Sequence, residues 1–260
     1  MIYKLIMRVA LVEFLNAIPL YYALKKKIID NDMNFISAPP SICANLLRNS
    51  EVNMGNVPIV EYTKSNRYKL LPEACISSNG RVKSVIFILK KPIKYVKKVK
   101  LDANSNTSVA LTKVLFKFKY GINVDYVYEG DADCELSIGD KALKKLSEKP
   151  YGEIVDLAAE WYEMTSLPFV FATWITNRNI SKNTIDLFID AKNWGKTHIS
   201  EICRDFCKSS SLISLEECKD YLKNNISYDL NAEKIESIKL FFDYAEKCGA
   251  IKNSPNLHFL

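Results

Sequence analysis

Residues 105–108, Ser105-Asn106-Thr107-Ser108, place three hydroxyl side chains within one short turn of chain. An extended basic-apolar run (95–101) precedes them. Leu111, Val114, Leu115 and Phe118 follow at the spacing of one helical face. The hydroxyls therefore stand where a strand ends and a helix begins, beside unpaired N–H groups and the positive end of the helix dipole. Such a junction suits an anion without any glycine-rich loop. It equally suits an ordinary N-cap, for which serine and threonine are favoured.

Further polar groups fall at the carboxyl ends of strand-like runs, where open α/β sheets bind ligands. Asn16 follows the first run, and Ser84 opens an apolar stretch. Gly139 and Asp140 end the run 134–138. Most of these are neutral donors, suited to holding carboxylates rather than moving protons. Each has a plainer reading: Asn16 and Asp140 as helix caps, Ser84 as a surface serine. Glu61 and Glu13 are carboxylates in apolar settings, and either could be a buried, paired structural acid.

The elements that must position these groups alternate. Strand-like runs at 4–12, 33–37, 84–89, 96–101, 124–128, 134–138 and 168–175 are interspersed with amphipathic patterns. The latter follow Pro19 and Pro39-Pro40 and recur at 107–119 and 140–146. This predicts α/β layers with mostly parallel sheets. Beyond Asn177 the pattern is helical, with a stripe of Ile238, Phe241, Phe242 and Ala245 ended by Gly249. The stretches 84–89 and 169–175 read as two crossings between two lobes. Residues 1–88 plus 173–260 would form one lobe and residues 89–172 the other, with a cleft between them.

Composition excludes several classes. The 260 residues are 48% hydrophobic and 25% charged, as in a soluble globular protein. The net charge of +6 gathers in Lys25-Lys26-Lys27 and between Lys83 and Lys100. No zinc-finger, RNP or helix-turn-helix signature accompanies it, so a solvated face is expected and no nucleic-acid partner. Seven dispersed cysteines without a Cys-x-x-Cys pair, and histidines only at 198 and 258, leave few ligands for a metal. Reduced cysteines in a cytoplasmic protein are the expectation, and no cofactor is called for. Glu13, Asn16 and Pro19 break the first apolar run into pieces too short for a signal core or a membrane span. The helical tail offers a face through which two copies could form a homodimer.

Six segments in order resemble one family. They are Asn16-Ala17-Ile18-Pro19-Leu20, residues 57–62 (VPIVEY), residues 76–85 (ISSNGRVKSV), residues 101–108 (LDANSNTS), residues 138–143 (IGDKAL), and residues 156–174 (DLAAEWYEMTSLPFVFATW). The chain resembles the chorismate dehydratases of the futalosine route to menaquinone. The resemblance implies a two-lobed type II periplasmic-binding-protein-like (Venus flytrap) fold used in the cytoplasm. It implies dehydration of chorismate to 3-[(1-carboxyvinyl)oxy]benzoate, with the substrate carboxylates contacted at Asn16, at Ser84 and in the Ser105–Ser108 turn. Four positions depart from the family pattern: Asn106 for arginine, Ser166 for glycine, Asn53 for aspartate and Ile59 for serine. Lys83 or Lys113 would have to compensate for the missing arginine. The base is open between the substrate's own enolpyruvyl carboxylate and Glu61. Three rivals remain: a solute-binding protein of the same fold, the sister enzyme that makes dihydroxynaphthoate with a catalytic histidine, and a regulator's effector domain. The last would need an attached helix-turn-helix.

Overall fold

The computed structural model describes residues 6–148 and 152–260. Among the described residues, ten strands form two sheets. The first holds β1 (Arg8–Val12), β2 (Asn34–Ala38), β3 (Met54–Pro58), β4 (Lys69–Ser78) and β10 (Phe169–Thr176), in the order β2-β1-β3-β10-β4. The second holds β5 (Val85–Leu89), β6 (Lys98–Lys100), β7 (Asp125–Val127), β8 (Cys134–Ile138) and β9 (Glu153–Asp156), in the order β7-β6-β8-β5-β9. The helices are α1 (Tyr22–Lys25), α2 (Pro40–Arg48), α3 (Asn106–Val114), α4 (Gly139–Ser147), α5 (Leu157–Thr165), α6 (Lys182–Thr197), α7 (Ile199–Ser209), α8 (Leu215–Asp220) and α9 (Ala232–Lys247).

The two-sheet α/β architecture expected from the alternation is present, with each lobe built on its own sheet. The sheets are mixed rather than mostly parallel. β1 runs parallel to β2 and β3, and β6 parallel to β7 and β8. β10 and β5, which each follow a passage between lobes, run antiparallel to both their neighbours. β5 is buried along its whole length inside the second sheet, and β10 lies inside the first. Their apolar runs are therefore sheet interiors rather than connectors. We place the passages at residues 79–84 and 157–168, ahead of the 88/89 and 172/173 boundaries read from pattern.

Local chemistry explains the remaining differences. The first strand begins at Arg8, and residues 4 and 5 of the expected run lie outside the described residues. β9 was not anticipated, because four residues with two acids carry no strand period. The pattern around Pro19 forms a 3-10 helix, Leu15–Leu20, before α1. Helix 107–119 stays α-helical only to Val114 and then widens into a π turn, Leu115–Lys119. That widening carries Phe118 off the core face, so it is 38% exposed and packs on the Tyr244 ring at 4.8 Å instead. The tail is helical through α9, but its last residues are extended, and Phe259 bridges to Leu70 of β4.

The tail also ties the lobes together. Trp161 of α5 is wholly buried, meets Phe169 and Phe241 edge-on at 5.5 and 5.9 Å, and donates from Nε1 to the Ser237 hydroxyl at 3.1 Å. α9 thus packs against the second passage and its strand at once. The lysines around 83–100 form a solvated face in which Lys90 pairs with Asp131, and Lys91 with Asp133 at 2.7 Å. All seven cysteines are free, and five of them are buried. No helix among the described residues is long and apolar enough to cross a membrane.

Candidate active site

A hollow of about 50 Å³ lies between the two sheets. Lobe one supplies Asn16 and Asn56, lobe two supplies Ser105, Ser108 and Gly139, and Ser84 ends the first passage between them. The rest of the wall is apolar, including Phe14, Ile76, Val85 and Phe171. Among the described residues, no Asp, Glu, His, Lys, Arg, Tyr or Cys faces it.

Each polar group is held by its own element. Asn16 rides on the 3-10 helix, which α6 presses closely: a Cβ on Gly195 would sit 1.9 Å from the Pro19 carbonyl oxygen. Ser84 is fully buried, and its carbonyl accepts the Gly139 N–H at 2.7 Å, which joins the first passage to α4. Its Oγ has no hydrogen-bond partner. The Tyr221 hydroxyl stands behind Ser84 and Asn16. Its burial outweighs those two neighbours and pushes the phenol well above its ordinary range. Ser105 caps α3 by accepting the Ser108 N–H at 3.2 Å and donates to the Ser108 hydroxyl at 2.9 Å. The cap and the wall of the hollow are therefore the same residue. Two helix N-termini, those of α3 and α4, end here and bring the positive ends of their dipoles to the hollow.

Gly139 answers to two constraints. Its φ of +58° is left-handed, and an added Cβ would lie 2.7 Å from the Phe14 ring. Phe14 thus covers α4 from the opposite lobe.

Five of the residues singled out in the sequence line the hollow: Asn16, Ser84, Ser105, Ser108 and Gly139. Three do not. Asn106 is half-buried outside the wall. The Thr107 hydroxyl accepts the Val60 N–H at 3.3 Å, which makes it a bond between lobes. Asp140 is neither cap nor wall: α4 is capped at Ile138, and the Asp140 carboxylate accepts the Leu15 N–H at 3.0 Å. Burial pushes that carboxyl up to about 6, against the pull of this hydrogen bond.

Glu61 is the buried structural acid. It is wholly enclosed, pairs with both Arg48 Nε at 3.0 Å and Arg48 Nη2, and accepts the Tyr68 hydroxyl at 3.2 Å. Lys83 pairs with Asp220 at 2.6 Å and Lys113 lies over the Tyr126 ring, so neither replaces the arginine absent at 106. His198 stacks on Trp194 at 4.0 Å, and His258 lies in the extended tail, both away from the hollow. Asn56 escaped the sequence reading because it sits inside an apolar strand. The polar residue interrupting that strand was the available signal.

A family profile described as menaquinone biosynthesis matches residues 7–247. The chain belongs to the menaquinone-biosynthesis family. Among curated relatives, a chorismate dehydratase of Thermus thermophilus is 30% identical over 64% of this chain and 68% of its own length. A chorismate dehydratase of Campylobacter jejuni is 28% identical over 88% of this chain and 93% of its own. Among solved structures, a protein of Archaeoglobus fulgidus superposes with a TM-score of 0.77 at 15% identity, covering 96% of this chain and 100% of that one. The periplasmic aliphatic sulphonate binding protein of Escherichia coli gives 0.64 at 13% identity, covering 98% and 93%. These likenesses show the fold. This member of the menaquinone-biosynthesis family has the architecture of periplasmic binding proteins, as the resemblance implied. Ser166, where the resemblance led to an expected glycine, ends α5 with a left-handed φ of +60°, a conformation that favours glycine.

Proposed function

We propose that this protein is a chorismate dehydratase of the futalosine route, forming 3-[(1-carboxyvinyl)oxy]benzoate and water. The observation that carries the reading is the hollow's wall. It has neutral donors and two helix N-termini to hold a dianion and, among the described residues, no titratable side chain to act on it.

The chemistry fits such a wall. Loss of the C3 proton and the C4 hydroxyl makes the ring aromatic, so the driving force resides in the substrate. The protein has to fix both carboxylates, align the hydroxyl and exclude water. As the C3 proton leaves, negative charge spreads onto the ring carboxylate, where aligned N–H and hydroxyl donors stabilise it. With Glu61 locked to Arg48 away from the wall, and no acid or base on the wall among the described residues, the substrate's enolpyruvyl carboxylate takes the C3 proton. That same proton then leaves with the C4 oxygen as water, and the carboxylate is regenerated. Asn16 and Ser84 position this carboxylate. The hollow is far below the 300–1,000 Å³ typical of ligand sites, so the lobes separate to admit substrate.

The decisive experiment incubates the protein with chorismate and reads the aromatic absorbance and the mass of the dehydrated product. Asn16→Ala and Ser84→Ala are expected to lower turnover at least about 100-fold, while Glu61→Gln keeps its kcat in the fraction that folds. Binding of chorismate without conversion would instead support a solute-binding protein, the reading favoured by the architecture alone.

A further inference from the structure

Asn56 is the one polar side chain of β3 that faces the hollow, and its surroundings are unusual. The residue is 0% exposed, yet neither Oδ1 nor Nδ2 has a hydrogen-bond partner. β3 pairs with β1 on one side and β10 on the other, and Asn56 lies opposite Trp174. Met54 and Val57 beside it on the strand are wholly buried and apolar. A buried amide with both ends unsatisfied is costly, and a leucine would fill a central strand without that cost. Such a conflict between local rule and residue marks a functional position.

The amide also restricts what can satisfy it. Nδ2 needs an acceptor and Oδ1 needs a donor, so the occupant must present both kinds of group. The wall around it offers only Asn16, Ser84, Ser105, Ser108 and Gly139 as polar company. Chorismate at neutral pH has acceptors in plenty, in two carboxylates and an ether oxygen. It has a single O–H donor, the C4 hydroxyl that leaves in the reaction.

We propose that Asn56 is a specificity-determining residue that accepts a hydrogen bond from the C4 hydroxyl of the substrate through Oδ1 and donates through Nδ2 to a neighbouring substrate oxygen. The consequence is directional. The dehydrated product has no hydroxyl, so Oδ1 loses its partner when the reaction is complete, and product is held less tightly than substrate. A site built around a hydroxyl discriminates strongly against the analogue that lacks it.

This inference rests on the chorismate reading, and its test separates the two. The dissociation constant for 3-[(1-carboxyvinyl)oxy]benzoate is measured by calorimetry on the wild type and on Asn56→Leu, and that for chorismate on Ser84→Ala with and without Asn56→Leu. Substrate turnover on mixing is followed separately to give kcat and KM. Substrate binding is read in the Ser84→Ala background, in which turnover is slowed. Asn56→Leu is expected to weaken chorismate about 10- to 100-fold and the product by less than about 3-fold. Its melting temperature is expected to equal or exceed that of the wild type, because an unsatisfied amide has been removed. Should Asn56→Leu fail to fold, Asn56→Val, which suits a strand, carries the same comparison. Equal loss on both ligands, or no loss on either, overturns the role of Asn56 and leaves the chorismate reading standing. Failure of the wild type to bind either compound overturns both.

Discussion

The Asp156 carboxylate accepts the main-chain N–H of Lys83 at 2.7 Å, clamping one interlobe passage to the other. The same carboxylate takes the Val82 N–H and caps α5 through the N–H groups of Ala158 and Ala159. Lys83 itself adopts a left-handed φ of +64°, so the turn that presents Ser84 to the hollow is set by this clamp. Burial raises the Asp156 pKa and the amide bonds lower it, with burial the larger effect.

Asp156→Ala would strand four amides, two buried and two partly buried. A loss of about 3–5 kcal/mol is expected from the cost of orphaned donors. Denaturant titration measures it. Asp156→Asn keeps one acceptor and is expected to lose about half as much. Equal stability of Asp156→Ala and wild type would refute the clamp.

Gly139→Ala combines a left-handed backbone with a collision at Phe14. A stability loss of about 1–3 kcal/mol is expected. Phe14 must also move out of its place over the hollow, so turnover is expected to fall more than thermal stability suggests. Comparing initial rates at a temperature where both proteins are folded isolates this effect.

Asp140 links stability to pH. Its folded carboxyl lies near 6, above the ordinary value of 3.8, so the folded state holds the proton more tightly than the unfolded chain. The corresponding stabilisation is complete below pH 4 and is lost as pH rises through 6. Asn at this position keeps an acceptor for the Leu15 N–H without a charge. Relative to wild type, Asp140→Asn is therefore expected to gain about 1–3 kcal/mol between pH 4 and pH 7. Parallel denaturation curves across that range read the change, and a pH-independent difference would count against it.

Ser166→Gly is expected to stabilise by about 1 kcal/mol, because it relieves a left-handed residue at the end of α5. Thermal melts would show a small upward shift with unchanged kcat.

Much of the candidate site was legible before any fold. The run of hydroxyls at 105–108 announced a helix start, and Ser105 does cap α3 while facing the hollow. Asn16, Ser84 and Gly139 followed from their places at strand ends, and the six segments named the family. Asp140, Thr107 and Glu61 were legible only as polar residues in suggestive company. Asp140 bonds Leu15, Thr107 bonds Val60 and Glu61 bonds Arg48, and nothing in residue spacing reveals a partner so far along the chain.

Residue order by itself determined the alternation of strands and helices, the start of α3 and the family, because these depend on neighbours within a few positions. Tertiary structure alone decided which polar groups converge and which are consumed in holding the lobes together. Asn56 illustrates why. It lies within β3, and only the meeting of two sheets turned that strand's face into the floor of a hollow and left its amide without a partner.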